Sequence, residues 1–158
     1  MSGAGAMWLR AGVVALVVIA LDQLTKALVR ADVAVGEKNE LLPFLDIGHV
    51  HNDGVAFGFL GGGGAIVLVV TFAALALLVG FFARNPTRPL LWLPTGMLLG
   101  GAIGNLIDRI RQGYVTDFIE LPHWPSFNVA DISITCGVVV LVIVLELGNA
   151  RAAAARSH

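Results

Sequence analysis

Four long apolar segments divide this chain, and each is predicted to form a helix. They cover residues 7–29, 65–83, 89–107 and 130–147. The segment 65–83 has 19 residues and no charged side chain, which is close to the ~20 helical residues that cross a hydrocarbon core about 30 Å thick. The sequence therefore predicts an all-α integral membrane protein, in which residues 1–158 form one domain with four transmembrane helices.

The longest polar segment, residues 31–64, separates the first two predicted spans. Its apolar residues alternate poorly with polar ones, so we expect a small β-like or amphipathic segment at the lipid boundary, built from short strands or a surface-lying helix. Asn52-Asp53-Gly54 by themselves indicate an ordinary Asx turn. The consecutive glycines Gly61–Gly64 predict a flexible hinge before the second span.

Composition excludes several classes of protein. Hydrophobic residues make up 57% of the chain and charged residues 13%, whereas soluble domains carry about 25% charged residues. The net charge of −1 and the lack of a basic run argue against a nucleic-acid partner. The single cysteine, Cys136, excludes an intrachain disulfide, and its apolar surroundings in sequence favour a small packing residue over a nucleophile.

The remaining polar residues are predicted to converge at one depth. If both termini lie on one side of the membrane, the end of span 1, the 31–64 segment, the end of span 3 and the start of span 4 share the other side. Basic residues number five on the side of the termini and four on the polar side, a weak positive-inside bias that favours an extracytoplasmic polar site. Ionisable residues at a membrane rim are by default candidates for a functional site.

Two pairs of residues have simpler explanations as well. Asp22 and Lys26 are four residues apart on one helix face, where a self-neutralising pair at a helix end accounts for them equally well. Asn128 and Asp131 fit a box-like N-cap of the fourth helix, whose positive end favours an ionised Asp131.

Asp117 has a different setting in the sequence. It lies among Val115, Phe118 and Ile119, and an apolar environment should raise its pKa. Asp117 and Asp131 would then be two carboxylates whose surroundings push their proton affinities apart, as the acid and the base of an aspartic peptidase require.

Five short blocks carry a resemblance to a known family. In order they are DQLTK (22–26), NDGVAF (52–57), GNLIDR (104–109), VTDF (115–118) and FNVAD (127–131). With these blocks the chain resembles lipoprotein signal peptidase, the type II signal peptidase of bacteria, along almost its whole length. One small departure is Val55, where alanine is usual, and the chain after Gly148 matches nothing we can name.

The resemblance implies both an activity and a set of site residues. The family cuts a diacylglyceryl-modified prolipoprotein just before its lipidated cysteine, at the outer face of the cytoplasmic membrane. It is inhibited by cyclic peptides of the globomycin type. Asp117 and Asp131 match its catalytic dyad, and the matching positions that line or brace the site are Asp22, Asn52, Asn105, Asp108, Arg109, Asn128 and Ala130.

Three further residues complete the candidate set. Lys26 is included as the partner of Asp22, and Gly54 and Phe57 as parts of a hinged, aromatic-tipped flap next to the Gly61–Gly64 run. The resemblance implies that no metal or other cofactor is needed, although clustered carboxylates could by themselves hold a divalent cation.

Two other classes remain as alternatives. A small carboxylate-dependent membrane transporter would also bury acidic residues, but usually near the midplane and with an internal repeat, whereas here the acidic residues gather at one rim. A purely structural membrane protein would not require such a cluster.

Overall fold

The computed structural model describes residues 3–54, 63–85 and 88–156. The chain is mostly helical, with a small sheet. The helices are α1 (Gly3–Asp32), α2 (Gly63–Arg84), α3 (Trp92–Gln112) and α4 (Val129–Arg156), and the strands are β1 (Lys38–Leu42), β2 (Leu45–Asn52) and β3 (Val115–Glu120).

Three of the helices, α1, α2 and α4, are long and apolar enough to cross a membrane, counted over the described residues. Helix α3 has 21 residues but carries polar and charged side chains in its second half. It begins at Trp92, later than the predicted 89, because Leu90 adopts a left-handed φ of 62° that interrupts a helix. It ends at Gly113, where a φ of 85° suits glycine and the N–H bonds the Arg109 carbonyl. The fourth span therefore remains a prediction.

Helix α3 packs against the other three helices, and its glycines allow this packing. A Cβ at Gly96 would lie 2.6 Å from the Ala11 carbonyl oxygen on α1, and one at Gly101 would lie 2.5 Å from the Ala130 carbonyl oxygen on α4. Both distances are too short for any side chain. These glycines therefore permit close contact of α3 with α1 and α4.

The sheet is antiparallel in the order β1-β2-β3. Strands β1 and β2 form a hairpin within the 31–64 segment, so the expectation of short strands there is confirmed. Strand β3 comes from the connection between α3 and α4. It was not predicted, because its pairing partner lies more than 60 residues away. The all-α description is therefore too narrow.

The sheet rests on the ends of the helices. Phe118 of β3 packs with Val29 and Val33 at the end of α1, and Ile47 and Val129 complete this apolar cluster. Strand β3 is thereby held between the end of α1 and the start of α4. This is the position from which Asp117 can reach the other polar residues.

Candidate active site

The polar ends of α1, α3, β3 and α4 meet in one buried cluster. Asp22, Lys26, Asp108 and Asn128 have no exposed surface, and Asp117 is 2% exposed. Charges buried to this degree are stable only when they are paired and hydrogen-bonded. The predicted convergence of these residues at one end of the helices is observed.

Lys26 is the centre of the charged part of this cluster. Its Nζ lies 2.8 Å from Asp22 Oδ2 and 3.1 Å from Asp108 Oδ2. It also donates a hydrogen bond of 2.9 Å to Asn105 Oδ1. The predicted ion pair between Asp22 and Lys26 on α1 is present. It is not an isolated pair at a helix end, because Lys26 also binds residues of α3.

The two aspartates that bind Lys26 also accept hydrogen bonds from backbone N–H groups. Asp22 Oδ1 accepts the Ala130 N–H at 3.0 Å, at the start of α4. Asp108 Oδ2 accepts the Thr116 N–H at 3.2 Å, next to Asp117 in β3. Asp22 and Asp108 therefore fix the two segments that carry Asp131 and Asp117.

The carboxylate of Asp117 is held by two amides. Its Oδ2 accepts from Asn52 Nδ2 at 2.9 Å and its Oδ1 from Asn128 Nδ2 at 2.6 Å. Burial raises the pKa of Asp117 from 3.8 to about 6; the Asn52 and Asn128 bonds act in the opposite direction, and the charge of Asp131 adds to the rise. The prediction of a raised pKa is confirmed.

Asp131 lies in the first turn of α4 and is only partly buried. Its Oδ1 accepts from Asn105 Nδ2 at 2.8 Å. Its Oδ2 accepts the Asn128 N–H at 3.2 Å, and its own N–H donates to Asn128 Oδ1 at 3.0 Å. This reciprocal arrangement is a capping box, as predicted.

Asn128 thus contacts both candidate catalytic carboxylates, Asp117 through its side chain and Asp131 through its backbone. One carboxylate is buried with a raised pKa, and the other is at a helix N-terminus and partly open. Such a pair can hold one proton between two acidic groups, which is suited to general acid and base chemistry on a water molecule.

A cavity opens beside each carboxylate. The Asp117 cavity, of about 230 Å³, is lined also by Val50, His51, Asn52, Pro125 and Ser126. The Asp131 cavity, of about 290 Å³, is lined also by Trp124, Phe127, Ile132, Thr135 and Cys136. Cys136 is exposed on α4, and its assignment as a small packing residue rather than a nucleophile stays a prediction.

Asn52 and Gly54 combine two predicted features. Asn52 Oδ1 accepts the Gly54 N–H at 2.9 Å, so the Asx turn is confirmed, while the other end of the same amide bonds Asp117. Gly54 has a φ of 72°, and a Cβ there would lie 3.3 Å from Val67 Cγ2. Phe57 and the rest of the predicted flap as far as Gly62 lie outside the described residues.

Arg109 and the metal alternative need separate comment. Arg109 Nη1 donates to the Asn105 carbonyl oxygen at 3.4 Å within its own helix, and a role in binding substrate stays a prediction. Among the residues that the structure describes, no three His, Cys, Asp or Glu side chains are grouped so that they could hold a metal ion.

Sequence reasoning missed three residues of this cluster. Gln23 Nε2 donates to Asp108 Oδ1 at 3.0 Å, and Arg30 Nη1 donates to Thr116 Oγ1 at 3.1 Å. A signal for Arg30 was present, because Asp22, Lys26 and Arg30 are spaced by four and lie on one helix face. The sequence contains no comparable signal for Thr116, since its partner Arg30 lies on a helix that is distant in sequence.

Comparison with known proteins assigns this chain to a family. The family model described as signal peptidase (SPase) II matches residues 14–147. The lipoprotein signal peptidase of Moorella thermoacetica is 45% identical over 132 residues, covering 80% of this chain and 86% of the relative. That of Halothermothrix orenii is 38% identical over 134 residues, with 84% and 92% covered.

A solved structure gives the same result for the fold. A bacterial membrane enzyme determined by the in meso method at 1.9 Å resolution superposes with a TM-score of 0.80 at 34% identity, covering 85% of this chain and 91% of that one. The chain belongs to the signal peptidase II family and is a bacterial membrane protein. The resemblance seen in its five sequence blocks is thereby confirmed.

Proposed function

We propose that this protein is an aspartic endopeptidase that removes the signal peptide from diacylglyceryl-modified prolipoproteins, cutting before the lipidated cysteine. The observation that carries the proposal is the contact of Asn128 with both Asp117 and Asp131, two carboxylates in unlike environments. Relatives named lipoprotein signal peptidase support it. The transporter alternative has no support among these relatives.

The reaction divides the chemistry between the two carboxylates. Asp131, partly open and at a helix N-terminus, acts as the base and takes a proton from the attacking water. Asp117, whose pKa is raised to about 6, is protonated and gives its proton to the scissile carbonyl oxygen as the water oxygen bonds to the carbonyl carbon. When the C–N bond breaks, Asp131 passes its proton to the leaving nitrogen and the carbonyl oxygen returns a proton to Asp117, so the enzyme is restored.

The neighbouring residues keep this pair in position. Asn105 donates to Asp131, and Lys26 holds Asn105 through its Oδ1. Asp22 and Asp108 fix the backbone on either side of the pair. A fixed geometry lowers the entropy that the reaction must lose on reaching its transition state.

The helix packing supports a placement in the membrane with four spans. Helix α3 lies against α1, α2 and α4, and its polar residues Asn105 and Asp108 are buried within the protein, so α3 can serve as the fourth span despite its lower hydropathy. Both termini would lie in the cytoplasm and the Asp117–Asp131 pair at the outer face of the membrane. There the pair would meet prolipoproteins in the lipid bilayer, and cyclic peptides of the globomycin type would compete with them.

A cleavage assay tests this function. Purified protein in detergent or lipid is incubated with a diacylglyceryl-modified prolipoprotein, and the loss of the signal peptide is followed by the change in size. The same precursor without the lipid is the substrate control, and a globomycin-type peptide is the inhibitor control. Cleavage of the lipidated precursor alone, blocked by the inhibitor, is expected; no cleavage of a lipidated precursor by folded protein would refute the proposal.

A further inference from the structure

A group of stacked rings lies beside the candidate site and has no part in the chemistry above. The rings of His51 and Tyr114 are stacked, with centroids 3.6 Å apart and planes inclined by 20°. The ring of His49 meets His51 edge-on at 5.2 Å. His49 in turn bonds the Val33 carbonyl oxygen through Nδ1 at 2.8 Å.

The stack joins two chain segments where the sheet ends. His51 precedes Asn52, the last residue of β2, and Tyr114 precedes Val115, the first residue of β3; Asn52 pairs with Val115 in the antiparallel ladder. A strand terminus has fewer ladder hydrogen bonds than a strand centre and opens more easily. Asn52 is an exposed residue at such a terminus, yet its amide must stay within 2.9 Å of Asp117 Oδ2.

We propose that His51 and Tyr114 are positioning residues, whose ring stack holds the end of β2 against β3 and so keeps Asn52 on Asp117. The inference rests on the proposed function of Asp117. The rest of the sheet has separate anchors in the Phe118 cluster with Val29 and in the bond between His49 and Val33. Loss of the stack should therefore loosen the strand end without unfolding the protein.

The loosening has a chemical consequence. The Asn52 bond favours the ionised form of Asp117 and opposes the effect of burial on its pKa. When Asn52 moves away, the pKa of Asp117 should rise further. The limb of the pH–rate profile that reports Asp117 should then move to higher pH, while substrate binding stays nearly the same.

The test uses matched pairs of variants in the cleavage assay. His51→Leu and Tyr114→Leu put an apolar aliphatic side chain in place of the ring and so remove the stack, whereas His51→Phe and Tyr114→Phe keep an aromatic ring. Asn52→Ala gives the reference for loss of the amide itself. Phe44→Leu, at an exposed aromatic residue between β1 and β2, is the control for removing a ring elsewhere in the sheet.

The expected result is a fall in kcat of up to about tenfold for each Leu variant, the size of one aromatic pair, with KM within about twofold. In each Leu variant, the limb of the pH–rate profile that reports Asp117 should move to higher pH, as it does in Asn52→Ala. Both Phe variants should keep most of the native activity. The double Leu variant should be no worse than either single variant, because both remove one interaction.

Three results would overturn the inference while leaving the peptidase function intact, since the native protein is assayed alongside. In the first, either Leu variant keeps the native kcat and the native pH profile. In the second, the losses of kcat in the two single Leu variants multiply in the double variant. In the third, the Phe variants are as impaired as the Leu variants. If the Leu variants cannot be purified in folded form, the same pH shift is required of His51→Gln. An unshifted profile there would also refute the positioning role.

Discussion

Asn128 donates from its side-chain Nδ2 to Asp117 Oδ1 at 2.6 Å, and it does so from the N-cap position of α4. The cap that starts the helix is therefore also the group that joins β3 to it. A second bond from the Asn128 backbone reaches Asp131 Oδ2 at 3.2 Å. One residue thereby sets the relative position of two carboxylates that are 14 residues apart in sequence.

The first prediction concerns the buried charges around Lys26. Lys26→Met should lower the free energy of unfolding by about 3–5 kcal/mol, because Asp22 and Asp108 would remain buried without their cation. Lys38→Met is the matched control: Lys38 also pairs with an aspartate, Asp46, but its side chain is 59% exposed, so a much smaller change is expected. Thermal unfolding in detergent compares the two, and equal destabilisation would contradict the role given to burial.

The outline of the helices and the convergence of most candidate site residues could be predicted from the sequence. The length of the apolar segments predicted α1, α2 and α4. The spacing of Asp22 to Lys26 and of Asn128 to Asp131 predicted contacts that are present in the structure. The third strand, the bond of Arg30 to Thr116 and the exposure of Cys136 could not be predicted. Each depends on which segments pack together, and single-sequence periodicity does not contain that information.

A second prediction concerns topology. A reporter enzyme fused after His158, or inserted in the connection between α2 and α3, should report the cytoplasm. One inserted near Lys38, in β1, should report the outside. The reason is the alternation of four spans, so the experiment also tests whether α3 crosses the membrane. If the fusion after His158 and the insertion between α2 and α3 report opposite sides, α3 does not cross the membrane and the four-span arrangement is wrong. If the insertion near Lys38 reports the cytoplasm, the outer location of the site is wrong.

A third prediction concerns stability against pH. The pKa of Asp117 is raised from 3.8 to about 6 in the folded protein, so the folded state binds this proton more tightly than the unfolded chain does. Its contribution therefore favours the folded state at low pH and is lost as pH rises between those two values, by up to about 3 kcal/mol.

Asp117→Asn cannot ionise and should escape this loss. The Tm of the variant relative to the native protein should thus be higher at about pH 7 than at about pH 4. Asp32→Asn, at an exposed carboxyl at the end of α1, is the control for a change of charge alone. A relative Tm of Asp117→Asn that is the same at both pH values would show that Asp117 is not a buried, weakly acidic group.

The last prediction concerns the carboxylate pair itself. Asp117→Asn and Asp131→Asn should each abolish cleavage, because an amide can neither give a proton to the carbonyl oxygen, as Asp117 does, nor take one from the water, as Asp131 does. The double variant should be little worse than either single variant, since residues that act as a unit lose their effect together.

The native pH–rate profile should be bell-shaped, with two apparent pKa values that belong to the coupled pair. Asp46→Asn, at the carboxylate paired with Lys38 near the start of β2, should cleave normally and controls for loss of an acidic group. A variant at Asp117 or Asp131 that is folded, equally expressed and still cleaves at the native rate would remove that aspartate from the mechanism.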